Sequence, residues 1–281
     1  MHPLIPAIVE RLRGIGGLDA IALGGSRARG SHTPASDIDI GLYYDPAAGL
    51  DLAALAAATA ELDDQHREDL LTEPGGWGPW INGGGWLRIH GTPVDFIYRD
   101  RAQVAAVINE CREGRITLDY QPGHPFAFVS SIYLAETAVC QPLHDPRGQL
   151  ATLKALANPY PPALQRALID RLWWETDFSV RIANKGVSRG DSAYVAGSCY
   201  RGVACLLMSL FALNRQHWLN EKGALALAAQ FPIAPPYLQS RVGAVFAQID
   251  ESPGALAAAV SLLDSLIRDT EPLVADWREG D

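Results

Sequence analysis

The hydrophobic pattern of the first half of the chain switches between helical and strand periods. Leu4, Ile8 and Leu12 recur at helical spacing, and "GIGG" ends that pattern. "LDAIAL" predicts a short buried strand that enters Gly24 and Gly25, and "DIDIGLYY" alternates as a strand does. The next stretch predicts an Ala-rich amphipathic helix, whose spaced positions are Leu52, Leu55, Thr59 and Leu62.

The segment "WLRIHGTPVDFIYRD" predicts a hairpin with a tight turn at Gly91-Thr92-Pro93. "QPGHPFAFVSSIYLAETAVCQPLHDP" then predicts a loop, a short helix and an exit interrupted by prolines. "NPYPPALQR" opens a long helix, because prolines in a first turn have the φ angle that a helix needs. A second long helix is predicted from the N-cap Asp191, and a last one carries Leu256, Val260, Leu263 and Ile267. These patterns predict an α/β N-terminal half and an all-helical C-terminal half, with a boundary near residues 115–157.

The stretch "LGGSRARGSHTPASDIDIGLYY" contains the candidate chemistry. Gly24 and Gly25 allow a sharp turn close to a ligand, and Ser26 is placed to cap a short helix whose N–H groups suit an anion. Asp37 and Asp39 project from the same side of one strand, where two carboxylates repel unless a cation bridges them. Mg²⁺ is the usual cation for such a pair. A plain glycine turn and a solvated edge strand are the alternatives.

A third acid, Asp95, interrupts the apolar strand "TPVDFIYRD" and is costly there without a partner. If this strand lies beside "DIDIGL", Asp95 completes a cluster of three carboxylates. Such a cluster would hold one or two metal ions, or one ion while Asp95 takes a proton from an attacking hydroxyl. Trp77, Trp80 and Trp86 flank a nearby glycine-rich loop, where they either pack in the hairpin or stack a base or a ring-shaped acceptor.

Composition narrows the class of protein. With 48% hydrophobic and 20% charged residues, the chain has the make-up of a soluble globular protein. The longest apolar run, Val203–Leu213, is shorter than the roughly 18 residues that span a bilayer, and the N-terminus lacks the features of a leader, so we expect a cytoplasmic protein with no membrane partner. The net charge of −9 argues mildly against nucleic acid as a partner. The scattered spacing of four cysteines favours neither a disulfide framework nor a zinc site.

The motif resembles a known superfamily. Gly25-Ser26, ten intervening residues, Asp37-x-Asp39 and the later strand acid Asp95 look like the nucleotidyltransferases related to DNA polymerase beta. The size and the helical C-terminal half are similar to antibiotic nucleotidyltransferases such as streptomycin adenylyltransferase. "NGGGWLRIHGTPVDFIYRD" and "FALNRQHWLNEKGAL" look closest to bacterial proteins known only by their nucleotidyltransferase domain. The motif match covers residues 23–99.

This resemblance implies an α/β (α+β) fold with a small mixed sheet, followed by an all-α helical bundle. It divides the chain into a catalytic domain at 1–115, a connecting segment at 116–157 and a helical domain at 158–281. It implies transfer of a nucleoside monophosphate, either AMP from ATP or the monophosphate of another NTP, to a hydroxyl of a small molecule, with release of pyrophosphate. It also implies one or two Mg²⁺ ions as cofactor.

The resemblance also assigns roles to residues. Asp37 and Asp39 would bind Mg²⁺, and Asp95 would be a third ligand or the base. Nucleotide contacts are expected at Gly25, Ser26, Arg27, Arg29, Ser36 and Lys185. A solvated helix face is the alternative for the two arginines and for Lys185.

Two other functions stay open at this point. In the first, the chain transfers the nucleotide to a protein or to an RNA end, as toxin–antitoxin nucleotidyltransferases do. In the second, the chain is a nucleotide-binding module without catalytic activity. The sequence leaves the acceptor, the base of the NTP and the oligomeric state undetermined.

Overall fold

The computed structural model describes residues 2–280, which form two compact units. The N-terminal unit comprises residues 2–112, 117–121 and 128–159, and the helical unit comprises residues 113–116, 122–127 and 160–280. The domain limits expected at 115 and 158 stay a prediction. The prediction of a small mixed sheet followed by a helical C-terminal region is confirmed.

The N-terminal unit alternates helices and strands along the chain. Its elements are α1 (Leu4–Leu12), β1 (Leu18–Leu23), α2 (Gly25–Arg29), β2 (Ile38–Tyr44), α3 (Leu52–Leu62), β3 (Gly84–Ile89), β4 (Thr92–Asp100), α4 (Arg101–Arg112), β5 (Leu118–Asp119), β6 (Phe128–Val129), α5 (Ser131–Val139), β7 (Gln141–His144) and α6 (Gln149–Ala157). The described residues form a five-stranded sheet in the order β3-β4-β2-β1-β7, with β5 and β6 paired separately. Only β2 and β4 pair in parallel within the larger sheet; its other neighbours are antiparallel.

One face of the sheet carries the apolar core of the N-terminal unit. Alternate residues of β2 and β4 are fully buried there, because successive side chains of a strand point to opposite faces. Of the positions that the sequence spacing predicted, Ile8, Leu12 and Leu55 are buried in this cluster, whereas Leu4, Leu52 and Leu62 pack against it partly buried. The cluster includes Ile5, Ile8, Leu12, Ile38, Ile40, Leu42, Leu55, Val94, Phe96 and Tyr98.

The other face of the sheet is polar at one end. Asp39, Asp95 and Trp86 lie on it, on the neighbouring strands β2, β4 and β3. Further along β4 the face is closed, since buried Arg99 donates to Glu136 of α5 through Nε (3.0 Å) and Nη2 (2.6 Å). At the acidic end of the face, by contrast, the carboxylates of Asp39 and Asp95 are only half-buried.

Three features of this unit differ from the sequence patterns. The hairpin turn lies at His90-Gly91, both at positive φ, so β4 already begins at Thr92. Helix α4 was not predicted, and it begins where Oδ1 of Asp100 accepts from the N–H groups of Ala102 and Gln103. The segment expected as an irregular exit contains β7, an edge strand that tolerates Pro142 because a ladder N–H is dispensable at an edge.

The helical unit is built on two long helices. Its elements are α7 (Pro162–Val187), α8 (Ser192–Leu213), α9 (Ala224–Ala228), α10 (Leu238–Ala247) and α11 (Pro253–Gly280). Helix α7 begins at Pro162, and α8 begins after Asp191, whose Oδ1 accepts from the N–H of Tyr194 at 3.1 Å. Both starts were predicted. The four predicted positions of α11 are all buried.

Helix α8 is a long apolar helix. The sequence had indicated only the shorter apolar run Val203–Leu213. By length and composition alone, this helix of 22 residues could cross a membrane. However, 72% of that apolar window is buried inside the protein, as in the core helix of a folded bundle. Cys199 and Cys205 are buried on it, and all four cysteines are free.

Candidate active site

Three carboxylates meet at the polar end of the sheet. Asp37 directly precedes β2, Asp39 lies within it, and Asp95 lies on β4 as the register partner of Asp39. The parallel pairing of β2 and β4 puts the side chains of Asp39 and Asp95 on the same face. One oxygen from each of the three groups lies within 4.8 Å of the others, and all three residues are half-buried. The juxtaposition predicted for Asp95 is therefore present.

The glycine turn lies directly against this cluster. The N–H of Gly24 donates to the carbonyl oxygen of Asp39 at 2.8 Å, which ties the end of β1 to β2. Gly25 has a φ of +57°, and a Cβ at this position would collide with Oδ2 of Asp39. Only glycine allows the backbone to run this close to the carboxylate. The turn and the acids thus form one site rather than two neighbouring features.

Ser26 follows the turn with an unusual hydroxyl. Its Oγ is buried, yet it has no hydrogen-bond partner within residues 2–280. A buried hydroxyl without a partner is unfavourable by about 1–3 kcal/mol. A phosphate oxygen would accept the missing hydrogen bond, so the residue fits the nucleotide contact expected from the sequence.

Arg27 holds the backbone on the far side of the loop. Its Nε donates to the carbonyl of Asp37 at 2.8 Å, and its Nη2 donates to the carbonyl of Ser36 at 2.6 Å. The Oγ of Ser36 in turn accepts from the N–H of Thr33 at 3.0 Å. These contacts fix the chain that leads into Asp37. Whether Arg27 and Ser36 also contact a nucleotide stays a prediction.

The last two expected nucleotide contacts lie in different units. Arg29 ends α2, and burial lowers its pKa below the usual value. Lys185 lies on the exposed side of α7 in the helical unit. The structure thus gathers Gly25, Ser26, Arg27 and Ser36 around the acids, whereas Lys185 belongs to the other compact unit. Its role stays a prediction.

The tryptophans of the glycine-rich loop have two different environments. Trp80 stacks on Phe128 and meets Tyr133 edge-on, so it packs within the unit. Trp77 stacks on Trp86 with ring centroids 4.4 Å apart and an interplanar angle of 17°. Trp86 nevertheless keeps 63% of its surface exposed.

Sequence reasoning missed the ion pairs that position the sheet. Buried Asp19 on β1 pairs with Arg101 at the start of α4 and with Arg147 before α6. Arg101 also reaches Asp45 at 2.9 Å. A signal was present in the sequence, since Asp19 is a charged residue inside the buried strand "LDAIAL". Its partners were not apparent, because they lie far along the chain.

The donor set fits a hard divalent cation. Carboxylate oxygens are the ligands that Mg²⁺ prefers, and three of them this close repel one another without a cation. The glycine turn and the Ser26 hydroxyl beside them suit an anionic group. The arrangement is therefore chemically competent to bind a metal–polyphosphate.

Comparison with protein-family models finds two known domains in the chain. Residues 5–116 match the model of the nucleotidyltransferase domain, and residues 127–222 match that of a domain of unknown function, DUF4037. No curated protein gives a significant match. Among solved structures, a nucleotidyltransferase-like protein from Exiguobacterium sibiricum 255-15 matches with a TM-score of 0.44 and 10% identity, over 98% of this chain and 79% of that one.

The family model spans β1, the glycine turn and all three acids, the features on which the resemblance was based. The predicted superfamily is thereby confirmed. The chain carries, in residues 5–116, a nucleotidyltransferase domain of the polymerase beta-like superfamily.

Proposed function

We propose that the protein transfers AMP from ATP, or the monophosphate of another NTP, to a hydroxyl group of a small molecule and releases pyrophosphate. The observation that carries the proposal is the meeting of Asp37, Asp39 and Asp95 within 4.8 Å beside the Gly25 turn. The nucleotidyltransferase domain implies the NTP substrate. The Mg²⁺ dependence and the nature of the acceptor are the steps added here.

Asp37 and Asp39, with Asp95 as a third donor, would hold one or two Mg²⁺ ions. When bound, the metal supplies neutralisation of charge on the triphosphate and on the developing transition state. The backbone at Gly25 and the Ser26 hydroxyl would position the triphosphate next to it, with Arg27, Arg29 and Lys185 as further candidates. Ser26 supports this assignment because its buried Oγ lacks a partner within residues 2–280.

The reaction is an in-line displacement at the α-phosphorus. The acceptor oxygen forms a bond to that phosphorus while the bond from phosphorus to the bridging oxygen of the β-phosphate breaks, and pyrophosphate leaves with that electron pair. The acceptor hydroxyl loses its proton, for which Asp95 is the nearest candidate base on β4. Positioning and charge neutralisation supply most of the rate acceleration in such transfers.

A small acceptor is favoured over a nucleic acid by the net charge of −9, which opposes binding of a polyanion. We place the reaction in the cytoplasm as part of the same proposal, because a reaction that consumes ATP needs the compartment that supplies it.

The test is transfer of label from α-labelled ATP in a cell lysate, followed by separation of small molecules, protein and RNA. We expect label in the small-molecule fraction, dependent on Mg²⁺ and lost in Asp37→Asn and Asp39→Asn. Asp170→Asn, which alters an exposed carboxylate of α7, serves as the matched control and should transfer normally. Label in the protein or RNA fraction would show that the acceptor is a protein or an RNA and not a small molecule. ATP binding without any transfer would indicate a non-catalytic module.

A further inference from the structure

The carboxylate row on the sheet continues onto a third strand. Asp39 of β2 pairs in register with Asp95 of β4, and Asp95 pairs in register with Trp86 of β3. We propose that Trp86 is the binding platform for the acceptor, and that the acceptor is a hydroxylated compound with a flat, apolar-faced ring. This inference rests on the proposed function, since it assigns the second substrate of the same site.

The strand pairing puts the Trp86 side chain next to Asp95. Residues directly opposite in an antiparallel pair project from the same face, with Cβ atoms about 5 Å apart. The alternation of β3 agrees, because Leu87 and Ile89 point to the buried core while Trp86 is exposed. A ring that lies on the indole can therefore present a hydroxyl to the carboxylate one strand away.

The order Asp39, Asp95, Trp86 across the three strands gives the two substrates different binding positions. Gly25 lies against Asp39, so the expected triphosphate position is at the β2 end of the row. Trp86 lies at the opposite end, beyond Asp95. A nucleophile that enters from the Trp86 side meets Asp95 before it reaches the phosphate. This order suits an acceptor better than the triphosphate.

The indole is held in place but left open. Trp77 stacks on it, and the backbone at Trp77 is itself fixed, because its carbonyl accepts from Nε2 of Gln121 at 2.9 Å. With one partner stacked, Trp86 still exposes 63% of its surface. Trp80 of the same loop meets two aromatic partners instead. A fixed, exposed aromatic surface binds a flat partner with little loss of conformational freedom.

Kinetics with the acceptor found by label transfer test the assignment. Trp86→Ala should raise the KM for that acceptor about fivefold or more, as loss of one aromatic stack does, and leave the KM for ATP unchanged. Trp86→Phe keeps a ring and should restore most of the affinity. Trp174→Ala, at an exposed tryptophan of α7, is the control. An unchanged acceptor KM in Trp86→Ala, or a rise confined to the KM for ATP, would overturn the proposal.

A binding measurement without ATP separates this proposal from the proposed function. The indole N–H resonance of Trp86, assigned by its loss in Trp86→Phe, is followed by NMR during titration with three probes. Tyrosol carries a hydroxylated aromatic ring, methyl β-glucopyranoside a sugar ring whose chair has an apolar C–H face, and sorbitol an open chain of hydroxyls. We expect one ring probe to shift the resonance, which also identifies the ring type, and sorbitol to leave it unchanged.

Equal shifts with sorbitol, or none with either ring, would refute the platform even if the protein transfers label. Conversely, a wild-type protein that labels no small molecule refutes the proposed function, and the acceptor role of Trp86 falls with it.

Discussion

Asp39 and Asp95 face each other across the parallel pair of β2 and β4, although a helix, a long loop and a strand separate them in the chain. Their carboxylates, with that of Asp37, have oxygens within 4.8 Å. Two negative charges at this separation repel, and the folded protein tolerates that repulsion at one place on its sheet. Because of this repulsion, the cluster should affect the stability of the protein even when no substrate is bound.

Removing one of these charges should stabilise the protein when no divalent cation is present. Asp39→Asn should raise the free energy of unfolding by about 1–3 kcal/mol, the scale of like-charge repulsion near a protein surface. Mg²⁺ at 100 times its Kd should stabilise the wild type by about 2.7 kcal/mol and the variant far less. Thermal unfolding with and without Mg²⁺ measures both effects. Equal stabilisation of both proteins by Mg²⁺ would contradict a metal site at this position.

Gly25 should be irreplaceable for a reason beyond its backbone conformation. Gly25→Ala introduces a Cβ that collides with Oδ2 of Asp39, so we expect lower stability and at least a tenfold loss of Mn²⁺ affinity. Gly30→Ala is the matched control, because Gly30 also has positive φ but no heavy atom within 4 Å of an added Cβ. That variant should lose about 1–2 kcal/mol from the left-handed conformation alone and bind Mn²⁺ normally. Isothermal titration compares the two, and equal Mn²⁺ affinities would show that the carboxylate has not moved.

Substitution of Arg27 tests whether its guanidinium group positions the acids or contacts the phosphate. Arg27→Lys keeps the charge but cannot donate to the carbonyls of Ser36 and Asp37 in the same fork. We expect a several-fold weaker binding of Mn²⁺ without nucleotide, because Asp37 loses its support. Arg13→Lys, in an exposed ion pair with Glu10 at the end of the first helix, is the control. Normal Mn²⁺ binding with a raised KM for ATP would instead assign Arg27 to the phosphate.

Asp63, which lies outside the carboxylate cluster, should make the free energy of unfolding depend on pH in a defined way. Its side chain is buried and accepts from Nε and Nη2 of Arg67, and these hydrogen bonds hold its pKa well below the usual value. A lowered folded-state pKa stabilises the protein above the unfolded-state pKa of about 3.9, and this contribution is lost as the pH falls toward the folded-state pKa. Asp63→Asn should therefore cost about 2 kcal/mol at pH 7.

The deficit of Asp63→Asn should shrink below about pH 4, where the wild-type carboxylate begins to lose its advantage. Urea unfolding at pH 7, 5 and 3 follows the difference, with Glu10→Gln as an exposed control. A deficit that stays constant to pH 3 would show that the pKa of Asp63 is not responsible.

Local periodicity was sufficient for the elements that lead to the site. Alternation predicted β2, and the turn residues around Gly91 predicted the hairpin, so the pairing of Asp95 with the DxD strand could be anticipated. The superfamily followed from these acids together with the glycine turn and is confirmed by the family model.

Tertiary context decided what the sequence missed. The prolines of one segment predicted an irregular exit, yet this segment contains β7 at the sheet edge, where Pro142 is tolerated because no ladder N–H is needed on the outer side. The fork of Arg27 onto two carbonyls has no sequence signature, because carbonyls are present at every residue. The orphaned hydroxyl of Ser26 likewise depends on its burial, which the motif alone does not reveal.

The parallel pairing of β2 with β4 also has a consequence for folding kinetics. The hairpin of β3 and β4 forms from neighbouring residues, whereas β2 must close a long loop to reach β4, which makes that step slow. The same step brings Asp95 against Asp37 and Asp39. The acidic cluster would therefore be among the last parts of the sheet to assemble, and a divalent cation that bridges it would slow unfolding more than it speeds refolding.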